Sequence, residues 1–196
     1  MAKTNQDTSR CEVCGALLIG HETVVYGNEK KRQYLCLRCY NKIVSDSFGI
    51  DFWDADFQPI TLKDLDGLHH EFKFAVRLHG PIVVLDAYET KKGKPEGYTF
   101  SVIGDPEGDI LELYMKLYAR ISQAMSTKHI EASDFGLRIT DANMVRAHID
   151  WDEEEEGVPS LIIDGKRISW NEFGRMLTTY EGFHFRLEIF DKSEDC

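Results

Sequence analysis

Long apolar runs are missing from this 196-residue chain. No stretch approaches the roughly 18 consecutive apolar residues of a membrane-spanning helix. The opening decapeptide, Met1-Ala-Lys-Thr-Asn-Gln-Asp-Thr-Ser-Arg10, has no apolar leader core. No membrane association is expected from this pattern, and the cytoplasm is the expected location. Cysteine is scarce, with five residues, and four of them stand in two close pairs. That usage fits a reducing compartment better than a disulfide framework. The chain also lacks a phosphate-cradling G-x-x-x-x-G-K-[ST] loop, a G-x-S-x-G elbow, an H-E-x-x-H helix and a Gly-rich dinucleotide loop. No catalytic signature is left on which to base an enzyme assignment.

Positive charge is scarce as well: 23 Lys/Arg stand against 34 Asp/Glu, for a net charge of -11. Residues 1–45 hold seven of the basic and four of the acidic residues, so the remainder carries sixteen against thirty. An acidic body disfavours nucleic acid as a partner, because duplex affinity comes largely from Lys/Arg neutralising phosphates. What the chain does have is core material, at 42% hydrophobic and 11% aromatic residues. It is long enough for a small module joined to a domain of about 140 residues. The expected division is a disordered lead-in over 1–10, a cysteine module over 11–49 and an acidic α+β domain over 50–192.

The module begins with Cys11-Glu-Val-Cys14-Gly15 and is answered by Cys36-Leu-Arg-Cys39. Two residues between cysteines allow both sulfurs of a knuckle to face one point, and two such knuckles supply a closed four-sulfur shell for a structural zinc. Cys11, Cys14, Cys36 and Cys39 are therefore the candidate metal ligands, with one zinc per chain. A rubredoxin-like iron site, a redox or disulfide pair and unmetallated thiols are the alternatives. Four thiolates leave no open position for a catalytic water. His21 is a spare donor that the complete set does not require.

Between the pairs, Val24–Tyr26 and Gln33–Leu35 read as a hairpin about Gly27-Asn28. A helix follows with Tyr40, Ile43, Val44 and Phe48 on one face and Gly49 as its left-handed cap. This order of knuckle, hairpin and helix bearing the second pair resembles a treble-clef zinc module. "CEVCG" with "YLCLRCYNKIV" looks like the N-terminal zinc-binding domain of the bacterial protease-associated AAA+ unfoldases. The resemblance covers residues 10–49 and implies a dimerising, adaptor-binding module with structural zinc. It does not extend to the ATP-hydrolysing motor.

Residues 49–59 read as the join, with Phe52, Trp53 and Phe57 packing against one or both parts. The body predicts an α+β fold of six or seven mostly antiparallel strands with two helices on one face. Ile60–Leu65 and Leu68–Leu78 flank Asp66-Gly67, with His70, Phe72, Phe74, Val76 and Leu78 on one face. Residues 81–89 suit a central strand, and 90–97 a polar loop before "YTFSVIG". The best helix spans 107–126, its stripe formed by Ile110, Tyr114, Leu117, Tyr118, Ile121 and Met125, with Glu112, Lys116 and Arg120 on the solvent side. Val145, Ala147, Ile149 and Trp151 alternate inward before the acidic loop 152–156, read as solvated. A hairpin about Asp164-Gly165 precedes the capping box Ser169-Trp-Asn-Glu172. "GFHFRLEIF", residues 182–190, reads as the last strand.

Two polar groupings are weighed against plain surface. In His69-His70-Glu71, neighbours point to opposite strand faces, so His69 pairs with Glu71 outside and His70 begins the apolar side. His148 and Asp150 share a face with Arg146, a possible acid/base or metal pair, or a solvated ion pair. The leading function is a zinc-binding interaction or adaptor protein with a protein partner or self-association. The alternatives are a hydrolase-like enzyme using His148/Asp150, and nucleic-acid binding through Lys30, Lys31, Arg32 and Arg38.

Overall fold

A computed structural model describes residues 9–18, 23–152, 155–191 and 193–194. His21, Cys196 and most of the expected lead-in lie outside the described residues. Over the described residues the class is α+β, with three α-helices and only antiparallel strand pairs.

The N-terminal part opens with β1 (Ser9–Arg10) paired to β2 (Leu17–Leu18), followed by the hairpin β3 (Thr23–Asn28) and β4 (Lys31–Cys36). Its turn is Glu29-Lys30, two residues beyond the expected Gly27-Asn28, because Asn28 pairs with Lys31 and its Oδ1 accepts from Lys30 N and Lys31 N, each at 3.1 Å. Gly27 instead sits inside β3 at φ 111°, where a Cβ would strike the Lys31 carbonyl. Helix α1 (Leu37–Phe48) ends as expected at Gly49 (φ 66°, ψ 30°). Phe48 departs from the expected buried face: it is 59% exposed, while Asn41 is fully buried in its place.

The centre of the molecule is a four-stranded sheet in the order β5 (Ile60–Lys63), β6 (His69–His79), β7 (Ile82–Lys91), β8 (Lys94–Gly104). Strand β7 is interior, as its near-continuous apolar run requires. The expected loop over 90–97 is instead a two-residue turn, Lys92 (φ 53°) and Gly93 (φ 77°), whose twist lets both strands continue to it. Pro95 is tolerated there because β8 is an edge strand. One sheet face carries Phe72, Val76, Leu78, Val83, Leu85, Ala87 and Val102, all buried.

Helix α2 (Ile110–Met125) packs on this face through Leu113, Leu117, Ile121 and Met125. Burying each such side chain contributes about 1.5–3 kcal/mol. Its start is set by Asp109, whose side chain accepts from Leu111 N at 2.8 Å. Glu112 and Lys116 pair on the solvent side as expected, at 2.9 Å. Arg120, half-buried on the same helix, donates to Ser101 O and Ser193 O at 2.6 and 2.8 Å. In the join, Phe52 and Phe57 pack against the sheet core, and Phe57 stacks on Tyr114 at 4.7 Å, but Trp53 is 69% exposed.

The C-terminal part has its own apolar cluster, including Ile130, Ile139, Leu161, Ile163, Ile168 and Met176. It is built from the hairpin β9 (Ile130–Ser133) and β10 (Gly136–Ile139), the sheet β11 (His148–Trp151), β12 (Pro159–Ile163), β13 (Lys166–Ser169), and helix α3 (Trp170–Leu177). Asp164 (φ 48°) and Gly165 (φ 68°) make the expected turn, and Ser169 Oγ accepts from Glu172 N at 3.2 Å.

Two expectations fail here. Ile149 and Trp151 do not point into a filled core: they are 53% and 63% exposed, because β11 is an edge with no further strand beyond it among the described residues. Residues 182–190 pair with no described strand, and Phe183, Phe185, Leu187 and Ile189 are each at least 70% exposed. The described body holds nine strands, of which β9 and β10 fall in a stretch to which the sequence reading assigns no element. No helix among the described residues is long and apolar enough to cross a membrane.

Candidate metal centre

The first knuckle sits between β1 and β2, whose pairing of Arg10 with Leu17 closes the loop that carries Cys11 and Cys14. Gly15 allows the turn at φ 74°; its N–H donates to Cys11 O, and Cys11 N–H donates to Ala16 O, both at 2.8 Å. Glu12 ties this loop to β4: its N–H donates to Tyr34 O and its carboxylate accepts from Tyr34 N, both at 3.0 Å. The second pair comes from a different element. Cys36 is the N-cap of α1 and Cys39 lies in its first turn, which holds no acidic residue. The positive end of the helix dipole therefore faces the thiols.

These elements bring all four sulfurs within 4.8 Å of one another. Cys14 Sγ and Cys36 Sγ are 3.7 Å apart. Ligands about 2.3 Å from a zinc at tetrahedral corners stand roughly 3.8 Å from each other, so the cluster has the span of a four-thiolate shell. Cys11 is buried at 2% exposure and Cys14 is exposed. Burial pushes the Cys11 thiol up, but backbone N–H groups of Cys14, Cys36 and Val13 outweigh it and hold it down at about 6. Burial, with the neighbouring sulfurs, pushes Cys36 and Cys39 up. The four cysteines can hold one metal ion, and no other such group occurs among the described residues.

The remaining sequence candidates are not assembled into a site. Asp150 is engaged by Arg167, whose Nη2 lies 2.5 Å from its Oδ2, and by Trp151 N at 2.9 Å. His148 is exposed on the same strand, two residues away. His69 is exposed at the start of β6. Lys30, Lys31 and Arg32 lie at the solvent-exposed hairpin tip, and Arg38, 88% exposed, stands 3.9 Å from Asp54.

One polar cluster escaped the sequence reading. His70, 8% exposed, lies between two carboxylates, with Nδ1 2.8 Å from Glu89 Oε1 and Nε2 3.2 Å from Asp64 Oδ2. Glu89, 2% exposed, also accepts from Tyr98 N at 3.1 Å. Burial alone would raise Asp64, but the Leu68 N–H and the His70 ring together hold it below the usual carboxylate range. Tyr98 is pushed up, first by burial and then by the Asp164, Glu89 and Asp64 charges. Gly97 and Gly165 leave room for the carboxylate: a Cβ at Gly97 would collide with Glu89 Oε2. The signal was Glu89 itself, an acid at the same strand parity as Leu85 and Ala87, which demands a buried partner.

Three family models match the chain in succession. Each is described as a domain of unknown function: DUF7685 over residues 10–51, DUF7686 over 54–126 and DUF7713 over 129–194. No curated protein and no solved structure matches it. The likeness to the AAA+ unfoldase zinc domain rests on the cysteine pairs and the order of knuckle, hairpin and helix over residues 10–49, and the chain is similar, piece by piece, to these three domains.

Proposed function

We propose that this is a zinc-stabilised interaction protein, in which Cys11, Cys14, Cys36 and Cys39 hold one structural zinc and the remainder presents surfaces to a protein partner. The observation that carries the metal is the quartet of sulfurs within 4.8 Å, drawn from a knuckle and a helix N-terminus. The order β1, knuckle, β2, hairpin, helix supports a treble-clef arrangement. The role is structural because four thiolates close the shell. The apolar set of this part also needs support, since its separate cluster has only Cys11, Leu18 and Leu35 fully buried. A module of about forty residues with so small a core requires a metal or a larger neighbour to fold.

Zinc is favoured over a rubredoxin-like iron because the second pair opens helix α1, with Tyr40 where a second knuckle turn would carry glycine. Partner binding is supported by the run of exposed apolar side chains in the C-terminal part, Phe183, Phe185, Leu187 and Ile189, a patch of the kind that marks interaction sites. Metal analysis of protein purified without added metal tests the reading. One zinc per chain, with the four thiols protected from a thiol reagent until a chelator is added, is the expected result; metal-free protein with freely titrating thiols overturns it.

A further inference from the structure

The segment 182–190 leaves the C-terminal part and stays unpaired, although both of its ends are held. At one end Phe183 N donates to Tyr180 O at 2.9 Å, and the two rings meet edge to face at 5.8 Å. At the other, Ser193 O accepts from Arg120 on α2. Between these ties the side chains alternate as in a half-buried strand: Phe183, Phe185, Leu187 and Ile189 on one parity, His184, Arg186 and Glu188 on the other. The apolar set, from 70% to 79% exposed, shows on the order of 500 Å² to solvent.

A second surface in the same part has the complementary defect. Among the described strands β11 pairs only with β12, so it is an edge strand; at its end Trp151 N donates to Asp150 Oδ1 and Trp151 O accepts from Arg167 and Ser160, bonds that an added strand would replace or extend. Ile149 pairs across the sheet with Leu161, and Leu161 with Ile168, so all three share the face that forms the C-terminal core. Leu161 and Ile168 are buried there, while Ile149 and Trp151 are left bare. The sheet therefore ends one strand short of its own core.

We propose that a second copy of this chain supplies the missing strand: residues 183–189 of each protomer add antiparallel to β11 of the other, forming a reciprocal dimer. This deepens the protein-partner half of the function proposed above. The register is specified by the side chains. Placing Arg186 opposite Asp150 sets Glu188 opposite His148 on the outer face, so Arg186, paired with Glu188 in the single chain, would join Arg167 on the Asp150 carboxylate. The same alignment sets Leu187 opposite Ile149 and Phe185 opposite Trp151 on the core face. Sliding by two residues one way brings Glu188 against Asp150, and the other way brings Arg186 against His148, so neither alternative pairs both charges. Reciprocal exchange covers two segments and two Ile149/Trp151 pairs, on the order of 1,500 Å² in total, the size of a standard specific interface. The contact is isologous, which closes the assembly at two chains.

The test uses the zinc-loaded full chain, with mass measured by light scattering or sedimentation across a concentration series. The wild type is expected to be a dimer. Leu187→Asp should be monomeric at concentrations where the wild type is dimeric, and Arg186→Asp should weaken the dimer by at least tenfold. Both variants should keep the wild-type circular dichroism and zinc content, since these side chains are exposed in the single chain. The double variant Ile149→Cys/Leu187→Cys should cross-link between chains on mild oxidation, while each single variant should not. A wild type that stays monomeric, a dimer indifferent to Leu187→Asp, or a cross-link formed within one chain overturns the proposal. Any of these with zinc still bound leaves the metal reading standing, whereas zinc-free protein that dimerises through Leu187 sinks the metal reading alone.

Discussion

Asn41 on helix α1 pairs with Leu78 as though it were a neighbouring strand. Its Oδ1 accepts from Leu78 N at 3.0 Å while its Nδ2 donates to Val76 O at 2.8 Å, and the side chain is fully buried. Strand β5 covers β6 only from His69 to Phe72. Beyond that no described strand pairs with this edge of β6, and one amide side chain supplies a bond to each of Val76 O and Leu78 N.

Asn41→Ala should therefore leave two buried backbone groups unpaired, at about 1–3 kcal/mol each. Urea unfolding should show a total loss of roughly 2–5 kcal/mol. A change under about 1 kcal/mol would mean that water reaches this edge.

Removing the metal should be felt beyond the cysteines. Val44 and Tyr40 on α1 belong to the sheet core, so the cysteine-bearing helix is shared between the two parts. From the sequence, loss of Cys36 or Cys39 is expected to unfold residues 10–49 alone. With α1 shared, chelation or Cys39→Ser should also increase hydrogen exchange along β6, from Phe74 to Leu78. Unchanged protection there, with 10–49 unfolded, would restore the independent-module view.

Glu89→Ala should be the most damaging single change in the body. It strips Nδ1 of His70 and the N–H of Tyr98 of their acceptor in a buried place. Breaking a buried pair costs about 3–5 kcal/mol. Glu89→Gln keeps an acceptor of the same shape and should cost less than half as much by chemical denaturation.

Acid should act through Asp64. Its folded carboxyl is held below the usual range, so the stability it adds is complete above about pH 4 and is lost as pH falls through the folded value. Asp64→Asn should lower stability at pH 7 and flatten its decline between about pH 5 and pH 2. A parallel decline in both proteins would show that other carboxylates control the acid limb.

Features that depend on residues close in sequence were legible from the letters. Cys11 and Cys14 converge across a local turn and Cys36 and Cys39 across the first turn of α1, Gly49 and Ser169 act on their own helices, and Asp164-Gly165 closes its hairpin through its own backbone angles. The alternation in β6 and the stripe of α2 survive because one face of each is buried whatever lies on it. Sequence by itself therefore determined the α+β class, the candidate metal ligands and the helix caps at Gly49 and Ser169.

Only the tertiary structure decided which polar residues go inside and which apolar ones stay out. Asn41 is buried because an edge thirty-seven residues away lacks a strand, and His70 because Glu89 arrives beside it from the next strand. The alternation in 183–189 is that of a strand, yet periodicity states a preference for a buried face without supplying a neighbour. Among the described residues no strand pairs with it, and Leu187 remains exposed. Pairing is a long-range relation between two edges, and a sequence records only one edge at a time.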